Sequence, residues 1–254
     1  MTSGMKKNTV VFIAGFILSG LIVFFVMRYQ ARQGSAVWEA GELMSVRQSV
    51  EKRLGDLSQD ITARLAAFAE GAASDQLFAL RLMAENNPSA PEVAGKAGEF
   101  MAPMGFAFLS IVDSSGTIVS SGHFPSSRGD RMRDSAFGRL SEEPKLVDDL
   151  SAAGERTLSL QARRPFVVAD SLTFFALGGV AVDGALLARL SPLPGVTVLL
   201  RRGGRVSGMD DVKTISEVND GAVLINGTAY PAFVIAPDYA GEGDAPELIV
   251  VMKK

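Results

Sequence analysis

The chain has 254 residues, with 25 Lys and Arg against 28 Asp and Glu, a single His and no Cys. That inventory excludes disulfides, thiol nucleophiles and His/Cys metal clusters, and a net charge of −3 argues against nucleic acid, which is held by clustered cations. At 47% hydrophobic and 21% charged, the chain can bury a core and still carry a membrane segment.

Residues 10–27, VVFIAGFILSGLIVFFVM, carry no charge, and Ser19 is the one strongly polar side chain among them. At about 1.5 Å per residue they would extend roughly 27 Å as a helix, close to the ~30 Å of a hydrocarbon core. In lipid every backbone amide needs an internal partner, so such a run is expected to cross as a helix. Lys6 and Lys7 before it also fit a cleaved signal peptide. The run is longer than a usual signal core and is followed by Arg28, Tyr29 and Arg32 rather than a small-x-small site, which favours a retained anchor after a short tail, residues 1–9, whose cytoplasmic placement rests on the resemblance given below. Gly15 and Ser19 make a small-xxx-small pair on it. The flanking charges balance, so they leave its orientation undecided.

Residues 28–88 read as a long amphipathic helix. Val46, Val50, Leu54, Leu57, Ile61, Leu65 and Phe68 recur at helical spacing, with Arg47, Glu51, Lys52, Asp56, Asp60 and Arg64 between them. The stripe has two readings: packing on the chain's own core, or a dimer seam through Val50, Leu54, Leu57, Ile61 and Leu65 that continues the membrane helix. Ser74 or Asp75 is placed to cap a further stretch that closes at Asn86, Asn87 and Pro88.

From Phe106 the period shortens. Residues 106–112 and 117–121 read as a hairpin across Asp113 to Gly116, and residues 137–153 as weakly helical. Strands follow at 157–162, 166–169 and 173–182, then a short helix at 185–190 and a strand at 196–200 that turns at Arg202, Gly203 and Gly204. Asn226-Gly227 joins two more strands, and Leu248 to Met252 form a last one. The fold class is therefore α+β, with an N-terminal transmembrane helix, a long connecting helix and a domain over residues 89–254 whose sheet is largely antiparallel.

No G-x-S-x-G elbow, Walker loop or G-x-G-x-x-G occurs, so no catalytic residue and no cofactor is assigned. Asp238, Glu242, Asp244 and Glu247 suit either a solvated loop or a Ca²⁺ site, and no metal is assigned to them. His123 precedes Phe124, Pro125, Arg128 and Arg131, with Arg163 and Arg164 further on. Either His123 is a hydrogen-bonded structural ring, or these five, His123, Arg128, Arg131, Arg163 and Arg164, meet an anionic ligand through forked donors.

The stretch FLSIVDSSGTIVSSGHFPSSRGD, residues 108–130, resembles the extracytoplasmic PAS-like or Cache sensor regions of membrane-bound bacterial receptors, above all histidine kinases. In those regions a strand, a D-x-x-G turn and a second strand lead to a His-Pro type loop. GGVAVDGALLARLSPLPGVTVLLRRGG, residues 178–204, is similar to their later part. The resemblance implies a single-pass inner-membrane protein whose domain lies outside and binds a small molecule or protein signal, dimerises, and relays the signal through the anchor. The fumarate- and citrate-sensing kinases carry an Arg just before the matching His, where this chain has Ser120 and Ser121, so their carboxylate specificity does not transfer. No phospho-acceptor H-E-x-x-x-P motif or ATP-binding glycine box is present; the output is expected from a segment beyond this sequence or from a partner. The rival class is a non-enzymatic envelope assembly protein that docks another protein on its sheet.

Protease added to intact spheroplasts is expected to digest residues 28–254. Protection until lysis would place the domain inside.

Overall fold

The computed structural model describes residues 41–84, 91–132, 134–150, 155–208, 215–219 and 221–253. The expected tail at 1–9 and span at 10–27 lie outside them, and among the described residues no helix is long and apolar enough to cross a membrane. The chain divides into two units, Met1–Gln48 and Ser49–Lys254.

Helix α1 runs through residues 41–74. Asp75 then breaks it and starts α2 (Gln76–Ala84), its Oδ1 accepting the N–H groups of Leu77 and Phe78 at 2.9 and 3.0 Å. Short helices α3 (Pro91–Ala94) and α4 (Lys96–Met101) follow, and Lys96 pairs with Asp75 while lying over the Phe78 and Phe100 rings.

Next come β1 (Phe108–Asp113), β2 (Ile118–Ser121), a 3₁₀ turn (Pro125–Ser127), α5 (Asp134–Arg139), β3 (Lys145–Leu150), β4 (Arg156–Val168) and β5 (Leu172–Ala181). Among the described residues these strands form a five-stranded sheet ordered β2-β1-β5-β4-β3, with each neighbouring pair antiparallel. Helix α6 (Gly184–Leu190), capped by Asp183, leads to β6 (Val196–Arg202), β7 (Arg205–Ser207), β8 (Ile215–Asn219), β9 (Ala222–Ile225), β10 (Thr228–Ile235) and β11 (Glu247–Met252). These build a six-stranded sheet ordered β7-β6-β11-β10-β9-β8. The stretch read as one sensor domain thus holds two sheets of related plan, each with an opening hairpin whose first strand pairs with the sheet's last strand.

The apolar stripe of α1 is satisfied within the chain. Val50, Leu57, Ile61, Leu65 and Phe68 are buried and Leu54 is half-buried. A Cβ built at Gly178 on β5 would stand 2.8 Å from Leu65 Cδ1, so the helix lies against the sheet at the residue that lacks a side chain. Over these residues the stripe therefore packs on the chain's own sheet, the first of the two readings. Three directional contacts reinforce the packing. Arg53 donates to the carbonyls of Arg189, Ser191 and Pro192 at the C-terminal end of α6, Arg64 to those of Met104 and Gly105, and Thr62 to that of Glu142.

The stretch read as weakly helical, 137–153, takes in only the end of α5, and Lys145–Leu150 is a strand, because pairing with β4 satisfies a backbone that no helix-period stripe could bury. The two runs 157–162 and 166–169 are one strand, β4, in spite of Pro165. Arg163 N–H bonds the Ser141 carbonyl on the outer side of β4, and Pro165, two residues on, lacks its N–H on that same side, past the end of β3. The Asn226-Gly227 turn is observed with both residues at positive φ.

Replacing the fully buried Ile61 by Ala is expected to cost about 2–5 kcal/mol in urea unfolding of the purified protein. A change below about 0.5 kcal/mol would return the stripe to solvent or to a partner.

Candidate functional site

The Asp113-x-x-Gly116 turn is closed by its own side chain, since Asp113 Oδ1 accepts the N–H groups of Ser115 and Thr117 at 2.8 and 2.9 Å. Ser120, fully buried, ties β2 to the helices beneath it by accepting from Ala97 N–H and donating to the Ala94 carbonyl. A larger residue there would displace those helices. After His123 the chain turns back along the outer edge of β2: Ile118 N–H bonds the Asp130 carbonyl, and Gly129 N–H the Ile118 carbonyl. The opposite edge, β3, is covered by the segment between β10 and β11, with Leu146 N–H donating to Asp238 O and Ala240 N–H to Leu146 O, each at 2.8 Å.

Between these two edge coverings lies a cleft of about 320 Å³. The returning loop contributes Phe124, Ser127, Asp130, Arg131 and Met132, β3 contributes Val147 to Leu150, β4 Arg156, and the β10–β11 segment Ala240 to Glu242. Its walls combine apolar side chains with two guanidiniums and four carboxylates.

His123 stands behind this cleft and does not line it. It is buried, edge-on to Phe108 at 5.0 Å, and its Nδ1 accepts the Leu109 N–H at 3.3 Å. Its Nε2 faces Asp149 Oδ1 at 3.6 Å. Asp149 Oδ2 accepts from Gln161 Nε2 at 2.7 Å, and that amide also donates to Ser159. Burial pushes the Asp149 carboxyl up, but the hydrogen bonds from His123 and Gln161 outweigh it and hold it below 3.8, the ordinary aspartate value. The neighbouring Asp148 takes both arms of the Arg202 guanidinium and the Tyr239 hydroxyl. Desolvation raises its carboxyl, and these partners bring it below the ordinary value.

Of the five residues that sequence singled out, the structure places Arg131 on the cleft and His123 one residue behind it. Arg128 is exposed and does not line the cleft. Arg163 donates to the Phe137 carbonyl with the Phe137 and Phe175 rings each 5.0 Å away, and Arg164 pairs with Glu142. The arginine cluster is therefore not assembled. Asp148, Asp149, Arg202 and Tyr239 were not found from sequence. Within the acidic loop, Glu247 pairs with Arg201, and Asp238 and Glu242 present backbone carbonyls to Leu146 and Tyr239.

No protein-family model and no curated protein matches the chain. Three sensor domains are among the solved structures that the chain is similar to. The sensor domain of the Vibrio cholerae histidine kinase DctB is 12% identical over 84% of this chain and 99% of that one, with a TM-score of 0.47. The periplasmic domain of Vibrio cholerae LuxQ is 13% identical over 82% and 96%, also at 0.47. The sensory domain of the Campylobacter jejuni chemoreceptor Tlp3, with isoleucine bound, is 8% identical over 84% and 91%, at 0.49.

A depressed carboxyl contributes stability that is complete above its unfolded-state value and is lost as pH falls through the lower folded-state value. The urea midpoint is therefore expected to drop from about pH 4 downward, and less steeply in Asp148→Asn. An unchanged slope in that variant would remove Asp148 from the acid response.

Proposed function

We propose that the chain is the extracytoplasmic sensing module of a membrane-anchored receptor, and that a small molecule occupies the cleft between the loop after β2 and the β10–β11 segment. The observation that carries this reading is the cleft itself: its volume, about 320 Å³, falls within the range of small-molecule sites, and its mixed apolar and charged walls suit a small polar ligand. The resemblance of residues 108–130 supports it, because the loop after β2 is the part of that motif that walls the cleft. In this reading residues 10–27 hold the module at the inner membrane with the N-terminus inside, and residues 28–88 carry the response toward them. Dimerisation, where it occurs, would use the membrane helix and surfaces other than the buried stripe of α1.

The assembly-protein reading draws on α2, where Leu77 and Leu80 are 74% and 61% exposed one turn apart. A thermal-shift screen of amino acids, small carboxylates and amines on the purified full chain decides between them. A compound at a hundred times its Kd adds about 2.7 kcal/mol, which at this chain length raises Tm by roughly 5–10 °C. Arg131→Ala, folded and equally stable alone, is expected to lose most of that shift. Absence of any shift, or hits that Arg131→Ala and Asp149→Asn leave untouched, would overturn the cleft as the site.

A further inference from the structure

The cleft is built on the first sheet, yet one of its walls, Ala240 to Glu242, comes from the segment that joins β10 to β11 of the second. Its backbone is bonded to Leu146 on β3, and a polar knot ties it further to β6 through Arg202. Tyr239 Oη donates to Asp148 Oδ2 at 2.8 Å and lies 3.0 Å from the Glu242 carbonyl, and Arg202 Nη2 reaches Tyr239 Oη at 2.7 Å. The Arg202 fork closes on both oxygens of Asp148, and its guanidinium lies 5.4 Å from the Tyr239 ring centroid. The wall curls tightly around the phenol: a Cβ at Gly241 would come within 2.2 Å of Tyr239 Oη, so the segment closes only because that residue has no side chain. Arg139 donates to the Gly241 carbonyl from the other side at 2.8 Å. Beneath the wall, Ala240 packs with Val147, Val112, Leu140 and Leu177.

We propose that Tyr239 and Arg202 are positioning residues of the cleft: by clamping Asp148 from the β10–β11 segment and from β6 they set Ala240–Glu242 in place as its wall, so the first-sheet cleft is complete only while the second sheet is latched to it. The consequence for sensing rests on the cleft being the ligand site. A ligand that touches this wall binds the latched arrangement in preference to the unlatched one and shifts the balance between them by its difference in affinity. The second sheet thereby registers occupancy of a site on the first.

The chain has no cysteine, so single cysteines report accessibility cleanly. Leu140→Cys, buried in the cluster beneath Ala240 and not on the cleft, is labelled with trimethylammonioethyl methanethiosulfonate in the full chain, alone and combined with Tyr239→Phe, Arg202→Gln or Arg202→Lys. Val251→Cys, fully buried in the second sheet, serves as the reporter of global unfolding. The latch predicts at least tenfold faster labelling at Leu140→Cys in each combination, with Val251→Cys unchanged. A combination of Asp148→Asn with Arg202→Gln is expected to match either substitution alone, since each opens the same knot. Rates at Leu140→Cys within twofold of the parent, or equal acceleration at both reporters, would overturn the proposal. If labelling accelerates as expected but no compound in the screen shifts Tm, the latch stands and the sensing function fails. If hits bind with unchanged labelling and unchanged affinity in Tyr239→Phe, the sensing function stands and the latch fails.

Discussion

The contact on which the rest of this structure depends is the seating of α1 on the first sheet at Gly178. A helix brings its axis to about 10 Å from a sheet when ordinary side chains intervene, and closer only where one side is bare. Gly178 supplies the bare position. Leu65 enters it, beside Leu109 and Phe106, and the period of the helix then carries Ile61, Leu57 and Phe68 onto the same surface. With that face of the sheet covered, β1 is buried along almost its whole length, and the opposite face is left to α5, the loop after β2 and the cleft.

The same logic of coverage explains why the candidate site sits where it does. An open sheet exposes two rows of unpaired amides and carbonyls, and a protein must cap or cover them. Here the outer row of β2 is met by the chain returning through Gly129 and Asp130, and that of β3 by the segment around Tyr239. Both coverings rise on the side of the sheet away from α1. The space between them is the cleft, so the pocket is a by-product of protecting two edges. A buried polar floor of Ser159, Gln161, Asp149 and His123 lies behind it, with each bond accounted for.

Local chemistry was legible in the sequence and long-range pairing was not. The Asp113 turn, the Asp75 cap, the Asn226-Gly227 hairpin and most strands from β5 onward follow from residues within a few positions of one another. The membrane-proximal stripe was legible as a stripe, but a helical period is the same whether it faces a sheet or a second helix. Only Gly178, more than a hundred residues away, decides between them. The arginines were misplaced for a similar reason. Arg163 and Arg164 are adjacent in sequence and point to opposite faces of β4, one into Phe137 and Phe175, the other to Glu142. Asp148 and Asp149 were hidden inside a run read as helical. Read as strand, the same pair would have been assigned to opposite faces, which is how one comes to hold Arg202 and the other His123.

Apolar burial alone would not decide where along the sheet α1 rests. Hydrophobic attraction is non-directional, and a shift of one turn, about 5.4 Å, would again set an apolar stripe on an apolar face. The polar hooks remove that degeneracy. Arg53 and Arg64 lie eleven residues apart on the helix; Arg53 reaches carbonyls at and just after the end of α6, and Arg64 those of the turn between α4 and β1. A sliding helix would abandon both sets of charge-assisted bonds together. The stripe therefore supplies the attraction and the arginines supply the register.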